Sequence, residues 1–287
     1  MRKRLRKILS EFLSPAELDY VYSSYEIVGD IAIIKLTDKS QKHGKAIADA
    51  IMKAHRNVKT VLAQASAVRG DLRLRELKHI TGEDKAVTIH RESKCLFLVD
   101  IKKCYFSPRL LYERMRIAEQ VKSGEVVVNM FAGVGCFSII IAKHADVEKI
   151  HSIDVNPSAV AFMKENVRLN RLYGKVIPIL GEAKETIEQK LCHVADRVLM
   201  PLPEKALEYL PSALLALKKT GGWIHYYDFE HATKDEDPIE KAKPKITEKL
   251  ANLNVAFNIA YGRVVRTTGP NWYQIALDIK IDPIRSL

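Results

Sequence analysis

Cysteine is scarce in this chain, with four among 287 residues, at positions 95, 104, 136 and 192, and no Cys-x-x-Cys pair. Such scatter argues against a zinc cluster or a secreted disulfide framework and predicts reduced, mostly buried thiols. Long apolar runs are missing as well. Nothing approaches the roughly 18–20 residues that a membrane-crossing helix needs. The basic start at residues 2–7 leads into an apolar run at 8–13, but Glu11 interrupts it, which excludes a signal-peptide core. A cytoplasmic protein with no metal site is therefore expected. Internal repeats and low-complexity tracts are absent too.

What is present is a chain 47% hydrophobic and 28% charged, enough for a well-formed core and for two domains. Lys and Arg number 46 against 35 Asp and Glu, a net charge of +11 that attracts a polyanion. A generally solvated basic surface gives the same excess, so the charge alone selects no partner.

Segment order divides the chain near residue 110. In the first part, residues 26–36 have the pattern of two short strands about a Gly-Asp turn, and 44–55 have helical spacing. Residues 58–64, 86–90 and 95–99 read as further strands, with a polar, basic stretch at 69–79 inserted among them. A small α+β domain over 1–110 is expected. From residue 125 strands and helices alternate: strands at 125–129, 150–154, 176–180, 197–200 and 223–229, with helices at 136–145, 157–170, 182–189 and 204–219 between them. This predicts a Rossmann-like, doubly wound parallel sheet in a domain over 111–287. A charged helix at 238–250 and strand-like runs at 255–260 and 272–279 then supply an antiparallel edge pair.

The first strand-to-helix turn reads Asn129-Met130-Phe131-Ala132-Gly133-Val134-Gly135. Glycine lets backbone approach a ligand closely and reaches positive φ at little cost. Asp154 ends the second strand about 20 residues further on, where a carboxylate accepts the ribose hydroxyls of a nucleoside. Both features suit S-adenosylmethionine and NAD alike. Two others separate them: Ser138 stands where a dinucleotide loop has its third glycine, and Met130, Phe131 and Phe137 suit a cofactor without phosphate. Glu182 and Ala183 close the third strand, where an acid beside a small residue fits the adenine amino group. The pattern points to an S-adenosylmethionine-dependent methyltransferase. A helix cap is the structural alternative for Asp154, although Asn156, directly before Pro157, is better placed to cap.

Together with Ile153-Asp154-Val155-Asn156-Pro157, the segments Tyr105-Phe106-Ser107-Pro108-Arg109-Leu110 and Glu113-Arg114 make the chain resemble the archaeal and eukaryotic methyltransferases that modify the purine at position 37 of tRNA. The resemblance runs from about residue 8 to 281. It implies a tRNA partner, engaged at the anticodon region of tRNA(Phe), and a monomeric enzyme. It further implies that Arg73 and Arg75 lie in a substrate-facing loop, and that Glu113, with Arg109 beside it, is the general base. Methylating a ring nitrogen of guanine or a ring carbon of its tricyclic derivative must release a proton. Tyr105 and Arg114 would line the methionine end of the cofactor or the target base. Solvated surface charge is the plain alternative for Arg73 and Arg75, core packing for Tyr105, and a surface pair with Arg109 or Lys102 for Glu113.

Departures from the family pattern carry information. Asn129 and Cys136 replace the usual Asp and Pro, and Glu182 replaces an Asp. The extra N-terminal domain of many archaeal members has no counterpart here, a loss for which the basic residues 2–7 compensate unless they form a simple flexible terminus. At the end of the fourth strand stands Pro201-Leu202-Pro203, where guanine-N1 methyltransferases have Asn-Leu-Pro. The Asn amide offers a donor and an acceptor, and Pro201 offers neither. Pro201 and Pro203 thus resemble the subgroup that methylates C7 of 4-demethylwyosine, some members of which also methylate guanine N1. Guanine-N1 methylation alone, aminocarboxypropyl transfer to the same base, and tRNA binding without turnover are the competing expectations.

Overall fold

The computed structural model describes residues 2–11, 13–22, 24–66, 70 and 72–284, with side chains from Leu5 onward. Phe12, Arg69, Asp71 and the side chains of Arg2, Lys3 and Arg4 lie outside the described residues. The chain separates into two compact units, Met1–Pro108 and Arg109–Leu287.

The first unit opens with helices α1 (Arg2–Leu9) and α2 (Pro15–Leu18). Strands β1 (Glu26–Val28) and β2 (Ile31–Ile34) follow, then α3 (Gly44–Ala54), β3 (Thr60–Gln64) and β4 (Leu77–Gly82). The last pair is β5 (Val87–Glu92) with β6 (Cys95–Asp100). Strands β1 to β4 form one sheet in that order, in which β2 and β3 are parallel; β5 and β6 form a separate hairpin. Buried Leu5 and Leu9 of α1 join Ile47 and Ile51 of α3 and Val61 of β3 in one core. Two expectations are corrected here. The basic N-terminus is a packed helix, because Leu5, Ile8 and Leu9 fall on one helical face. Leu77–Gly82, the first half of which was expected in the polar insertion at 69–79, is a strand pairing with β3.

The second unit begins with α4 (Leu111–Gln120), entered through a short 3-10 turn at Pro108–Leu110. Then β7 (Val126–Asn129), α5 (Cys136–His144), β8 (Lys149–Asp154), α6 (Pro157–Asn170) and β9 (Val176–Leu180) alternate. The alternation continues through α7 (Ala183–Lys190), β10 (Arg197–Met200), α8 (Ala206–Ala216), β11 (Gly222–His231) and α9 (Pro238–Asn252). A long hairpin, β12 (Phe257–Gly269) and β13 (Trp272–Ile281), ends the unit. The seven strands lie in the order β12-β13-β11-β10-β7-β8-β9. Strands β7 to β11 are parallel, while β13 runs antiparallel between β11 and β12. Ile187, Leu210, Ile246 and Leu250 of α7, α8 and α9 share one apolar core with Val128, Val198, Ile224 and Leu277 of the sheet. The doubly wound sheet with an antiparallel edge pair is as expected, but β12 extends far beyond residue 260. The order in which successive strands are added reverses between β7 and β10, and in open sheets of this kind a ligand crevice forms at the carboxyl ends of the strands beside that point.

Candidate functional site

The loop after β7 is built to bring backbone, not side chains, to the crevice. Gly133 and Gly135 take φ of 57° and 90°, the left-handed region that side chains disfavour. A Cβ at Gly135 would also stand 2.9 Å from Met163 Cγ of α6. The loop is tied down from both sides. Met130 N donates to Leu199 O of β10 (3.0 Å) and Ala132 N to Ile153 O of β8 (2.8 Å). Ser138, where a third glycine would stand, is fully buried; its hydroxyl receives hydrogen bonds from Asn129 Nδ2 (3.1 Å) and Ser152 Oγ (2.7 Å). That explains the missing glycine, since this position packs α5 against the strands rather than making room for a pyrophosphate. Asn129 accordingly serves the loop from beneath.

Asp154, at the end of β8, receives Gly133 N at 2.6 Å on Oδ2 and Asn156 N at 2.9 Å on Oδ1. Burial pushes its carboxyl up from the usual range, against the pull of these two backbone donors. Asn156 caps α6, accepting from Ser158 N at 3.0 Å, so Asp154 is not the cap of that helix. Each Asp154 oxygen retains a second lone pair for a hydroxyl donor. Next to it, Val155 and Leu180 are 53% and 56% exposed at the ends of β8 and β9, and Leu180 is in register with Asp154. Sequence reasoning passed over both; an apolar residue directly after the strand-terminal acid was the available signal. Residues 129–136 contain no basic side chain to meet a phosphate. A carboxylate with no cation beside it among the described residues, flanked by exposed apolar surface, fits a nucleoside cofactor without phosphate.

Glu182 is the N-cap of α7, receiving Glu185 N (3.1 Å) on one oxygen and Tyr209 Oη (2.5 Å) on the other. Tyr209 also meets the ring of Phe131 edge-on at 5.2 Å. Glu182, Phe131 and Tyr209 thus form one wall beside the loop, and Ala183 is buried behind it. Across the reversal point, Pro201 follows β10 half-buried and Pro203 is buried. Because Leu199 is in register with Asn129, the chain enters Pro201 beside the glycine loop.

Helix α4 carries Glu113 and Arg114, which are 1% and 3% exposed, and follows exposed Arg109. Within the second unit, Glu113 is engaged by residues other than Arg109. Its oxygens receive Arg116 Nη2 (2.7 Å), Arg116 Nε (3.0 Å) and Tyr227 Oη (2.8 Å), and Arg263 Nη1 lies 3.7 Å away. Arg116 also grips Asp278 of β13, which in turn binds His225 Nδ1 at 2.6 Å. His225 Nε2 faces the guanidinium of Arg197, which only donates, so the proton of this neutral histidine is on Nδ1. Burial lowers the affinity of His225 for a second proton, outweighing Asp278. Burial works against ionisation of Asp278 too, but the hydrogen bonds from His225 and Arg116 outweigh it and hold that carboxyl far below its usual range. Desolvation and the Glu113 charge push the Tyr227 hydroxyl well above the ordinary phenol range.

In the first unit, Tyr105 is half-buried while Phe106 and Ser107 are buried, so the Tyr-Phe-Ser-Pro motif anchors through its middle. Arg73, at φ 53°, places its guanidinium 4.6 Å from the centre of the Tyr105 ring. Arg75 is engaged differently, bonding Glu26 at 2.9 Å and Gln64 at 3.3 Å with little exposure. This internal pair gives Arg75 a structural role that its place in a basic stretch did not suggest.

Fold and site together define an S-adenosylmethionine-dependent methyltransferase: a doubly wound sheet with an antiparallel edge pair, a glycine loop at its reversal point and a strand-terminal acid. The pattern of the TRM5/TYW2 methyltransferase domain matches residues 88–255, and that of the TYW2 N-terminal domain matches residues 5–85. The chain belongs to the TRM5/TYW2 methyltransferase family. It is 41% identical over 268 residues to tRNA (guanine(37)-N(1))-methyltransferase Trm5b of Pyrococcus abyssi, covering 93% of this chain and 78% of that protein. The crystal structure of that Trm5b superposes with a TM-score of 0.85 at 39% identity, covering 97% of this chain and 80% of the other. Identity to tRNA 4-demethylwyosine(37)-methyltransferase Taw21 of Saccharolobus solfataricus is 38% over 261 residues, 91% of this chain and 94% of that one. The structure of M. jannaschii TYW2 in complex with AdoMet gives a TM-score of 0.69 at 27% identity, covering 91% of this chain and all of that chain (100%). S-adenosylmethionine is the family's cofactor. No helix among the described residues is long and apolar enough to cross a membrane.

Proposed function

We propose that the protein methylates C7 of 4-demethylwyosine at position 37 of tRNA(Phe), with N1 of guanosine 37 as a second acceptor. The observation that carries this reading is Pro201-Leu202-Pro203 after β10, beside the glycine loop. An unmodified guanine presents donors and acceptors along its edge, and a site that recognises it supplies their complements. Pro201 has no N–H and no polar side chain, so it offers a flat apolar contact, suited to a tricyclic base. The similarity to Taw21 supports the same reading; the similarity to Trm5b keeps guanosine as an acceptor.

Asp154 would hold the ribose of S-adenosylmethionine, with the main chain of Ala132 to Gly135 alongside it and Val155 and Leu180 against the adenine. The bound cofactor supplies an electrophilic methyl group. Transfer to a ring carbon forms a C–C bond, breaks the methyl–sulfur bond and leaves a proton to be removed from the base. Glu113 takes that proton in this reading. Its Oε1 receives two hydrogen bonds, from Arg116 Nη2 and Tyr227, and its Oε2 one, from Arg116 Nε, which leaves Oε2 a second lone pair for the proton. Arg73 stacked on Tyr105 is the candidate for base or phosphate contact in the first unit, and Arg109 and Arg114 support the acceptor side in the second.

Incubation with labelled S-adenosylmethionine and tRNA(Phe) carrying either guanosine or 4-demethylwyosine at position 37, followed by product mass, tests the reading. A methyl gain on 4-demethylwyosine is expected. Gain of an aminocarboxypropyl group would overturn methyl transfer, and product from guanosine alone would overturn the C7 assignment. Glu113→Gln should slow turnover about 100-fold or more, as loss of general-base catalysis does, with cofactor affinity unchanged; full turnover would remove Glu113 from the chemistry.

A further inference from the structure

The face of the β12–β13 hairpin that packs beside α4 carries exposed aromatic rings, each with a guanidinium beside it or next along the row. Tyr112 of α4 is 67% exposed, and Arg263 of β12 lies 4.5 Å from its ring centre. Tyr261 is 48% exposed, and Arg116 of α4 lies 5.2 Å from its ring centre. Register places these groups on one side of the sheet: Tyr261 opposite Asp278, Arg263 opposite Ala276 and Arg266 opposite Gln274. Trp272, 47% exposed, continues the row on β13 with its ring against His231. From Asp278 to Trp272 the row spans about 20 Å at the rise of an antiparallel strand.

Two bulges create this alignment. The register of β12 against β13 shifts between Ile259 and Tyr261 and again between Val264 and Arg266. Without the first shift, Ala260 would oppose Asp278 and the Tyr261 ring would turn to the opposite face, where Ile259 and Val264 pack into the apolar core. The bulges therefore aim Tyr261 and Arg266 away from the core and toward α4. The guanidinium groups are fixed in advance, since buried Glu113 and Asp278 hold Arg116, and Glu113 also faces Arg263.

We propose that this row is a stacking platform for an unpaired stretch of RNA, the nucleotides flanking the base to be modified. Exposed rings interleaved with arginines suit unpaired bases, which stack on π-faces while the cations meet the phosphates. A chain of net charge +11 adds long-range attraction to the same polyanion. A protein partner would instead favour a contiguous apolar patch, and these rings are separated by charges. The inference deepens the tRNA reading and rests on it.

Tyr112→Ala and Tyr261→Ala, and their Phe counterparts, test the platform by fluorescence anisotropy with a tRNA anticodon stem-loop. Each Ala variant should weaken binding about 5- to 150-fold, the range of a lost base–aromatic stack, while the Phe variants retain it and cofactor affinity stays constant. The steady-state signature is a raised KM for RNA with kcat nearly unchanged. If the unaltered protein binds no RNA, the functional reading fails; if it binds and the Ala variants bind equally well, the platform is wrong. A 2-aminopurine next to position 37 should be quenched on binding the unaltered protein and less so with the Ala variants. Equal quenching would also overturn the proposal.

Discussion

The two oxygens of Asp154 receive the amides of Gly133 and Asn156, so one side chain fixes both the glycine loop and the entry to α6. Replacing it with Asn substitutes an NH2 group for one acceptor, setting a donor against a backbone donor. Asp154→Asn should raise the Kd for S-adenosylmethionine about 10- to 100-fold, the scale of hydrogen bonds to a charged group, by isothermal calorimetry on a protein of unchanged circular dichroism. An unaltered Kd would take Asp154 out of the cofactor site. At this scale the sequence displayed Asp154, the glycines and Asn156, because each acts on residues close in the chain or in a fixed strand-turn-helix order. The environment of Glu113 was hidden. Its partner Tyr227 and the Arg116–Asp278 link that holds it join residues more than a hundred positions apart, and no local pattern announces such pairs.

Helix α1 shows how one strong signal masks another. Five of its eight residues are basic, which reads as a solvated tail, yet Leu5 and Leu9 are 3% and 1% exposed. Leu9→Ala should cost about 2–5 kcal/mol in the first unit, as buried leucine truncations do, measured by urea unfolding. A loss under about 0.5 kcal/mol, ordinary for a surface position, would return α1 to a loosely attached terminus. Strand β4 was missed for a different reason: at the edge of its sheet, none of its six residues is fully buried. The apolar alternation that marks a half-buried strand is then weak. The helices and strands around the glycine loop, covered on both faces, were legible almost to the residue. The long β12 was not, because its bulges break the two-residue period.

Across the molecule, acid should act first through histidine. Burial depresses the affinity of His225 and His151 for protons. A histidine that titrates near pH 6.5 when unfolded, but lower when folded, contributes stability above that pH and loses it as pH falls. Unfolding followed by tryptophan fluorescence reports the second unit, which contains both Trp223 and Trp272. Its stability should be level above about pH 7 and decline below about pH 6.5, by up to about 1.4 kcal/mol per pH unit for each histidine. A flat profile between pH 7 and 5 would show that these histidines are not held neutral. Asp278, whose folded affinity for protons is also lowered, adds to the decline only in stronger acid, below the unfolded carboxylate range near pH 4. The bulged hairpin has a further consequence for coexistence with copies of itself. Strand β12, 13 residues long, is an edge of its sheet, and an edge strand is a template on which another chain could extend the sheet. Three register shifts break that edge into short, twisted pieces, and Arg263 and Arg266 set positive charge along it. The irregularity that spoils the strand's periodicity therefore also guards a concentrated solution of the protein against edge-to-edge aggregation.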